Sequence, residues 1–223
     1  LMFRCILSTP KTTPSAFINW DLDLIKMSNR IIMKKLNFYH HLLNLPDNTL
    51  AKQMVTKQIE NEWPGLAKEC KDFINSLKLT DITKASIKKN QWKKEVKKAV
   101  IEKNKEELKK EIGKLEKVKE FKDEKFEQKE YFKELNLKEA RAVFKHRSKM
   151  TQYVKRNFAN EPQYRNDLWQ CTGCKSNVDT ESHILWCDAY RDLRQGKDIK
   201  NDKDLASYLL KVFDIRSKLN TNK

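Results

Sequence analysis

Apolar residues recur at three- and four-residue steps along most of this chain, and the steps predict helices. In NRIIMKKLNFYHHLLNL, Ile32, Leu36, Tyr39 and Leu43 fall on one side of a helix that Ser28 is placed to cap and Pro46 ends. Asn48 is a cap for TLAKQMVTKQIENEW. Pro64 then opens GLAKECKDFINSL, where Leu66, Cys70, Phe73 and Leu77 align. Upstream, STPKTTPSAF is a Pro/Thr turn region that breaks two further helices. Short amphipathic helices with tight connections bury their stripes against one another. His40 and His41 are adjacent, point in different directions, and read as neither ligand nor catalyst.

From about Ser86 to Glu134 the apolar stripe thins to Trp92, Val96, Val100, Leu108, Ile112 and Leu115. Lysine outnumbers the acids there and arginine is absent. Lysine and glutamate at three- and four-residue spacing support an exposed helix, so this stretch reads as a solvated, lysine-rich helical arm. Such an arm attracts phosphate without reading bases. Residues 137 to 158 differ. Ala140, Val143, Phe144, Met150, Val154 and Phe158 form a buried side, and Arg141, Lys145, Lys149 and Arg156 form a basic stripe with Arg147 at its edge. The planar fork of arginine suits phosphate better than an ammonium does. Near the end, NDKDLASYLLKVFDIRSKL reads as a closing amphipathic helix.

Composition sharpens this picture. Four glycines and five prolines in 223 residues leave little loop, so the fold is expected to be mainly α. Three regions are expected: a helical region at 1–82, the lysine-rich arm at 83–135, and a basic helix with a small C-terminal module at 136–223. A net charge of +16 points to a polyanion partner, nucleic acid first. No signal peptide and no apolar run of about 18 residues is present, so membrane insertion and secretion are not expected and an intracellular setting is. Of the five cysteines, Cys5 and Cys70 sit in apolar helical patterns and read as buried thiols. The chain starts inside an apolar pattern without an initiator methionine, and reads as a piece of something longer.

The other three cysteines are clustered in CTGCKSNVDTESHILWC, with the spacing Cys171-x2-Cys174-x8-His183-x3-Cys187. A Cys-x2-Cys turn aims two thiolates at one ion, with Gly173 easing the tight backbone. His183 and Cys187 are four apart and share one face of a helix that Asp179 or Thr180 can cap. A reducing compartment favours metal over disulfide. Three sulfurs and one nitrogen select zinc, and a complete set of four ligands leaves no open position, so the expected ion is structural. Lys175 lies in the zinc loop, and Trp169 just before it reads as core packing or a stacking face.

EARAVFKHRSKM followed by CTGCKSNVDTESHILWCDAYRDLR resembles the region behind the polymerase in non-LTR (LINE-type) retrotransposon reverse transcriptases. In that family an arginine-bearing helix precedes a CCHC zinc-binding segment. ILSTPKTTPSAFINWDLDLIKMSNRIIMKKLNFYHHLLNLP is similar to the thumb-side helices that follow the family's catalytic domain. The resemblance covers most of the chain, although only the zinc segment is specific. It implies a parent RNA-directed DNA polymerase working by target-primed reverse transcription, with the rest of that enzyme upstream, and nuclear and cytoplasmic residence if the element is active. The chain itself has no Tyr-x-Asp-Asp motif, and DLDL at 21–24 is no substitute. It is therefore expected to be non-catalytic and to hold RNA template, target DNA or both through Arg141, Lys145, Arg147, Lys149, Lys155, Arg156 and Lys175. The competing reading is a zinc-stabilised helical scaffold for protein–protein interaction.

Overall fold

The structure, a computed structural model, describes residues 2–79, 87–149 and 170–221. It is mainly helical, as the periodicity predicts. Its chain divides into two compact units, Leu24–Glu111 and Leu1–Asp23 with Ile112–Lys223. These units divide at 23/24 and 111/112, whereas the sequence expects regions at 1–82, 83–135 and 136–223. Among the described residues, no helix is long and apolar enough to cross a membrane.

The Leu24–Glu111 unit contains α3 (Met27–Leu43), α4 (Leu50–Glu60), α5 (Leu66–Ser76) and most of α6 (Lys89–Gly113). The predicted stripes become its core. Leu36, Tyr39, Val55, Ala67, Cys70 and Ile74 are buried together, flanked by Ile32, Leu43, Leu66, Phe73 and Leu77. Helix boundaries differ slightly from the expected ones: Lys26 precedes α3 in place of Ser28, and Thr49 precedes α4 in place of Asn48. Burial pushes the Cys70 thiol up to about 12, which leaves it an inert packing group. His40 is also structural. Its Nε2 lies 3.0 Å from the Ile87 carbonyl, and its ring stacks on Trp92 at 5.6 Å.

The long lysine-rich helix exists as α6, but it is not solvated on all sides. Trp92, Val96 and Val100 are fully buried in the same core as Leu36 and Cys70, and the Trp92 indole donates to the Leu36 carbonyl at 3.3 Å. Three apolar groups on one stripe suffice to seat a helix whose other faces are mostly lysine and glutamate. Asn104 adds a buried polar anchor, accepting from the Lys26 amide at 2.9 Å and from Asn29 at 3.2 Å. After Gly113 the helix gives way to turns, a 3-10 turn at Lys119–Asp123 and the single-turn α7 (Tyr131–Glu134).

The other unit takes α1 (Met2–Ile6) and α2 (Ser15–Asp21) from one end of the chain. From the other end it takes α7, α8 (Leu137–Arg147), α9 (Glu181–Trp186), the one-turn α10 (Arg191–Arg194) and α11 (Asp202–Thr221). One part of its core is aromatic: Phe17 packs against Phe121 and Phe144 at 5.2 and 5.6 Å, and Trp20 against Phe126 at 5.2 Å. Helix α8 begins with a capping box, Asn136 accepting from the Glu139 amide while Glu139 accepts from the Asn136 amide. Its Ala140, Val143 and Phe144 are buried as predicted. The helix stops at Arg147, however, because Lys149 takes a left-handed backbone (φ 51°). The expected helix over 137–158 is thus eleven residues long where it is described, and Met150, Val154 and Phe158 lie outside the described residues. The closing helix is α11, which packs on α8. Cys5, expected to be buried, is exposed.

Candidate metal centre

The cluster predicted from spacing is brought together. Sγ of Cys171, Cys174 and Cys187 and a ring nitrogen of His183 all lie within 4.8 Å of one another, close enough to hold one metal ion. Cys171 and Cys187 Sγ are 3.8 Å apart, and Cys174 Sγ is 3.3 Å from His183 Nε2. Cys171 and Cys187 are fully buried, whereas Cys174 and His183 are partly exposed.

Two local structures deliver these donors. The first is a tight loop in which an antiparallel bridge pairs Gln170 with Val178 and the Cys171 amide donates to the Asn177 carbonyl at 2.7 Å. The Lys175 amide returns to the Cys171 carbonyl at 2.9 Å. The left-handed residue of this loop is Lys175 (φ 61°). Gly173 serves for another reason than backbone freedom: a Cβ there would lie 2.7 Å from Tyr190 Oη and 2.8 Å from its Cζ. The second structure is α9. The Thr180 hydroxyl accepts from the His183 amide at 3.0 Å and caps the helix, so that His183 and Cys187 project one turn apart. Asp179, the other candidate cap, is instead buried and ion-paired with Arg216 of α11.

Supports outside the motif fix both halves. Arg194 Nη1 donates to the Cys187 carbonyl at 2.6 Å, and the Tyr208 hydroxyl donates to the Ile184 carbonyl. Ile184, Tyr190, Tyr208, Leu209 and Val212 pack around the two buried cysteines. Arg194, Tyr190, Tyr208 and Arg216 were not foreseen. Tyr208 and Arg216 act across gaps of 24 and 37 residues, and Tyr190 and Arg194 follow Cys187 closely but carry no ligand chemistry to single them out. Burial alone would raise the Cys174 thiol, but hydrogen bonds from Ser176, the Asn177 backbone and His183 hold it well below the usual thiol range. Cys187 is pushed up by burial and by the neighbouring Cys171. The loop thus offers one ready thiolate, while a buried thiol keeps its proton until a cation displaces it.

The nominated basic residues are less uniform. Arg147 is turned inward: it donates to both carboxylate oxygens of buried Asp21 at 3.2 and 3.3 Å and to Glu124 at 2.8 Å, with its guanidinium 4.5 Å over the Phe121 ring. In that position Arg147, expected as a phosphate contact, is held by a buried carboxylate. Lys149 pairs with Glu120 at 3.0 Å. Arg141 donates from Nε to the Ile6 carbonyl at 2.5 Å. Lys145 is half-buried, and burial followed by the charge of Arg141 lowers its pKa. Lys175 is exposed, as is Trp186 on α9 at 70 %. Lys155, Arg156 and Trp169 lie outside the described residues. No family model, curated protein or solved structure matches the chain.

Proposed function

We propose that this chain is a zinc-stapled, non-catalytic, nucleic-acid-binding segment from behind the polymerase of a non-LTR retrotransposon reverse transcriptase, where it positions RNA template or target DNA. The observation that carries this reading is the Cys171, Cys174, His183 and Cys187 quartet, set in the sequence context that resembles that family. In a tetrahedral site with Zn–S of about 2.3 Å and Zn–N of about 2.0 Å, ligand atoms stand about 3.5 to 3.8 Å apart. The 3.8 Å and 3.3 Å separations here are close to those values. Three thiolates and an imidazole favour zinc over the hard cations, and four protein ligands leave no coordination position for a reacting water. The ion's role is to tie the Cys171 loop to α9. The net charge of +16 supports a polyanion partner.

The nucleic-acid surface rests on Arg141, Lys145 and Lys175, together with Lys155 and Arg156. The test uses the full chain, a mixed-sequence RNA and a duplex DNA across a salt series. Changing Arg141, Lys145 and Lys175 to Gln flattens the log-affinity against log-salt slope by about 2 to 3 if they contact phosphate. Unchanged affinity and slope, with zinc still bound, would remove this surface from the account. The second reading, a zinc-stabilised scaffold for another protein, is favoured by the inward use of Arg147 and by the pairing of Lys149 with Glu120. It predicts intact zinc and no salt-dependent affinity for either nucleic acid.

A further inference from the structure

We propose that the Leu24–Glu111 unit carries a nucleic-acid backbone site of its own, the exposed face of α6 formed by Lys89, Lys93, Lys94, Lys97 and Lys98. This site uses neither the zinc module nor α8, and it goes beyond the surface proposed above.

The first observation is segregation of charge within one helix. From Lys88 to Lys98 the only acid is Glu95, which accepts from Gln91 at 3.1 Å. From Ala99 to Glu111, Lys103, Lys105, Lys109 and Lys110 are matched by Glu102, Glu106, Glu107 and Glu111. Glu107 and Glu111 both pair with Lys26. The five lysines of the first half are all exposed, and among the described residues none has an acid within ion-pair distance. Lys89 and Lys93, Lys93 and Lys97, Lys94 and Lys97, and Lys94 and Lys98 are neighbours at three- or four-residue spacing. Like charges so placed destabilise a helix. The arrangement is self-repulsive, and an anion laid along it relieves the repulsion.

The second observation is rigidity. Trp92, Val96 and Val100 of the same turns are fully buried, fixed by the Trp92 hydrogen bond to Leu36 and the His40 stack, with Lys94, Lys97 and Lys98 turned furthest from them. The lysines are therefore presented on a seated helix with a rise of about 6 Å per four residues. A repeating polyanion fits a row of ammonium groups, with each contact releasing counterions. An anionic membrane fits less well. Interfacial helices bury an apolar face in lipid, and the apolar face of α6 is already occupied by the protein core.

The experiment compares K93Q/K94Q/K97Q/K98Q with K103Q/K105Q/K109Q/K110Q in the full chain. Both remove four lysines from the same helix, and Gln keeps helix propensity. The probes are a mixed-sequence RNA, a duplex DNA, and phosphatidylserine/phosphatidylcholine vesicles. Circular dichroism first confirms equal helix content; should the first variant lose helix, K93Q/K97Q replaces it against K103Q/K109Q. The proposal expects the first set to weaken RNA and DNA binding by roughly tenfold or more and to make the salt slope shallower by about 3, with little change from the second set. Equal losses from the two sets, no loss from the first, no nucleic-acid binding by wild type, or lost vesicle binding with RNA and DNA binding retained would each overturn it. Loss confined to R141Q/K145Q/K175Q would overturn this site and leave the proposed function standing. Loss confined to the α6 set would establish this site and remove the Arg141, Lys145 and Lys175 surface.

Discussion

A methyl group added at Gly173 would stand 2.7 Å from Tyr190 Oη and 3.1 Å from the Ala189 Cβ. Gly173→Ala therefore destabilises the protein by about 1–3 kcal/mol, the usual cost of overpacking. A thermal melt checks it, and Tyr190→Phe in the same chain recovers part of the loss by removing the nearest atom. Arg147 is the other decisive residue. Asp21 beside it is completely buried, so Arg147→Met leaves a carboxylate without its charge partner and costs about 3–5 kcal/mol in urea unfolding. A cost below about 0.5 kcal/mol, the usual range for a surface substitution, would put Arg147 back among the surface cations. His146 gives a pH signature. Burial, then the charges of Arg147 and Lys149, lower its pKa to about 4, and its Nδ1 meets no hydrogen-bond partner among the described residues. Its folded pKa lies below the unfolded value, so the unfolded chain binds the extra proton. The resulting stability is complete above about pH 6.5 and falls toward pH 4, by up to about 3 kcal/mol. Comparing wild type with His146→Gln at pH 5 and pH 7 isolates this contribution. An identical pH dependence in the two proteins would refute it.

Among the elements, α8 and α6 show what a linear pattern reveals and what it hides. The buried side of α8 was legible because Ala140, Val143 and Phe144 keep helical spacing. Its end was not, because no Gly or Pro marks the left-handed Lys149. The inward use of Arg147 was hidden too, since Asp21 lies 126 residues away. Helix α6 misleads in the opposite direction. Its apolar residues are sparse enough to suggest a solvated arm, yet their partners Leu36, Tyr39 and Cys70 come from α3 and α5. Trp92→Ala is accordingly predicted to cost about 3–5 kcal/mol, read by chemical unfolding, whereas a free arm would tolerate it. The metal quartet was legible in full because ligand chemistry and spacing are local. Its supports, Arg194 on the Cys187 carbonyl and Arg216 on Asp179, were not.

For the whole molecule, the two units depend on different things. The Leu24–Glu111 unit has an apolar core complete in itself, while the other carries the buried cysteines among Ile184, Tyr190, Tyr208 and Val212. With zinc in the proposed site, chelation should therefore raise amide exchange around residues 170–216 and leave α3, α5 and the first half of α6 protected. Uniform loss of protection across both units would show that the metal is not a local staple. The proposed role of the C-terminal module depends on one closed metal site. The most direct test is the zinc-to-protein ratio of the purified chain, measured for wild type and for Cys171→Ala, Cys174→Ala, His183→Ala and Cys187→Ala. One zinc per wild-type chain and marked loss in every variant are expected. Undiminished zinc in two or more of the four, or no zinc in wild type purified without chelator, would contradict it.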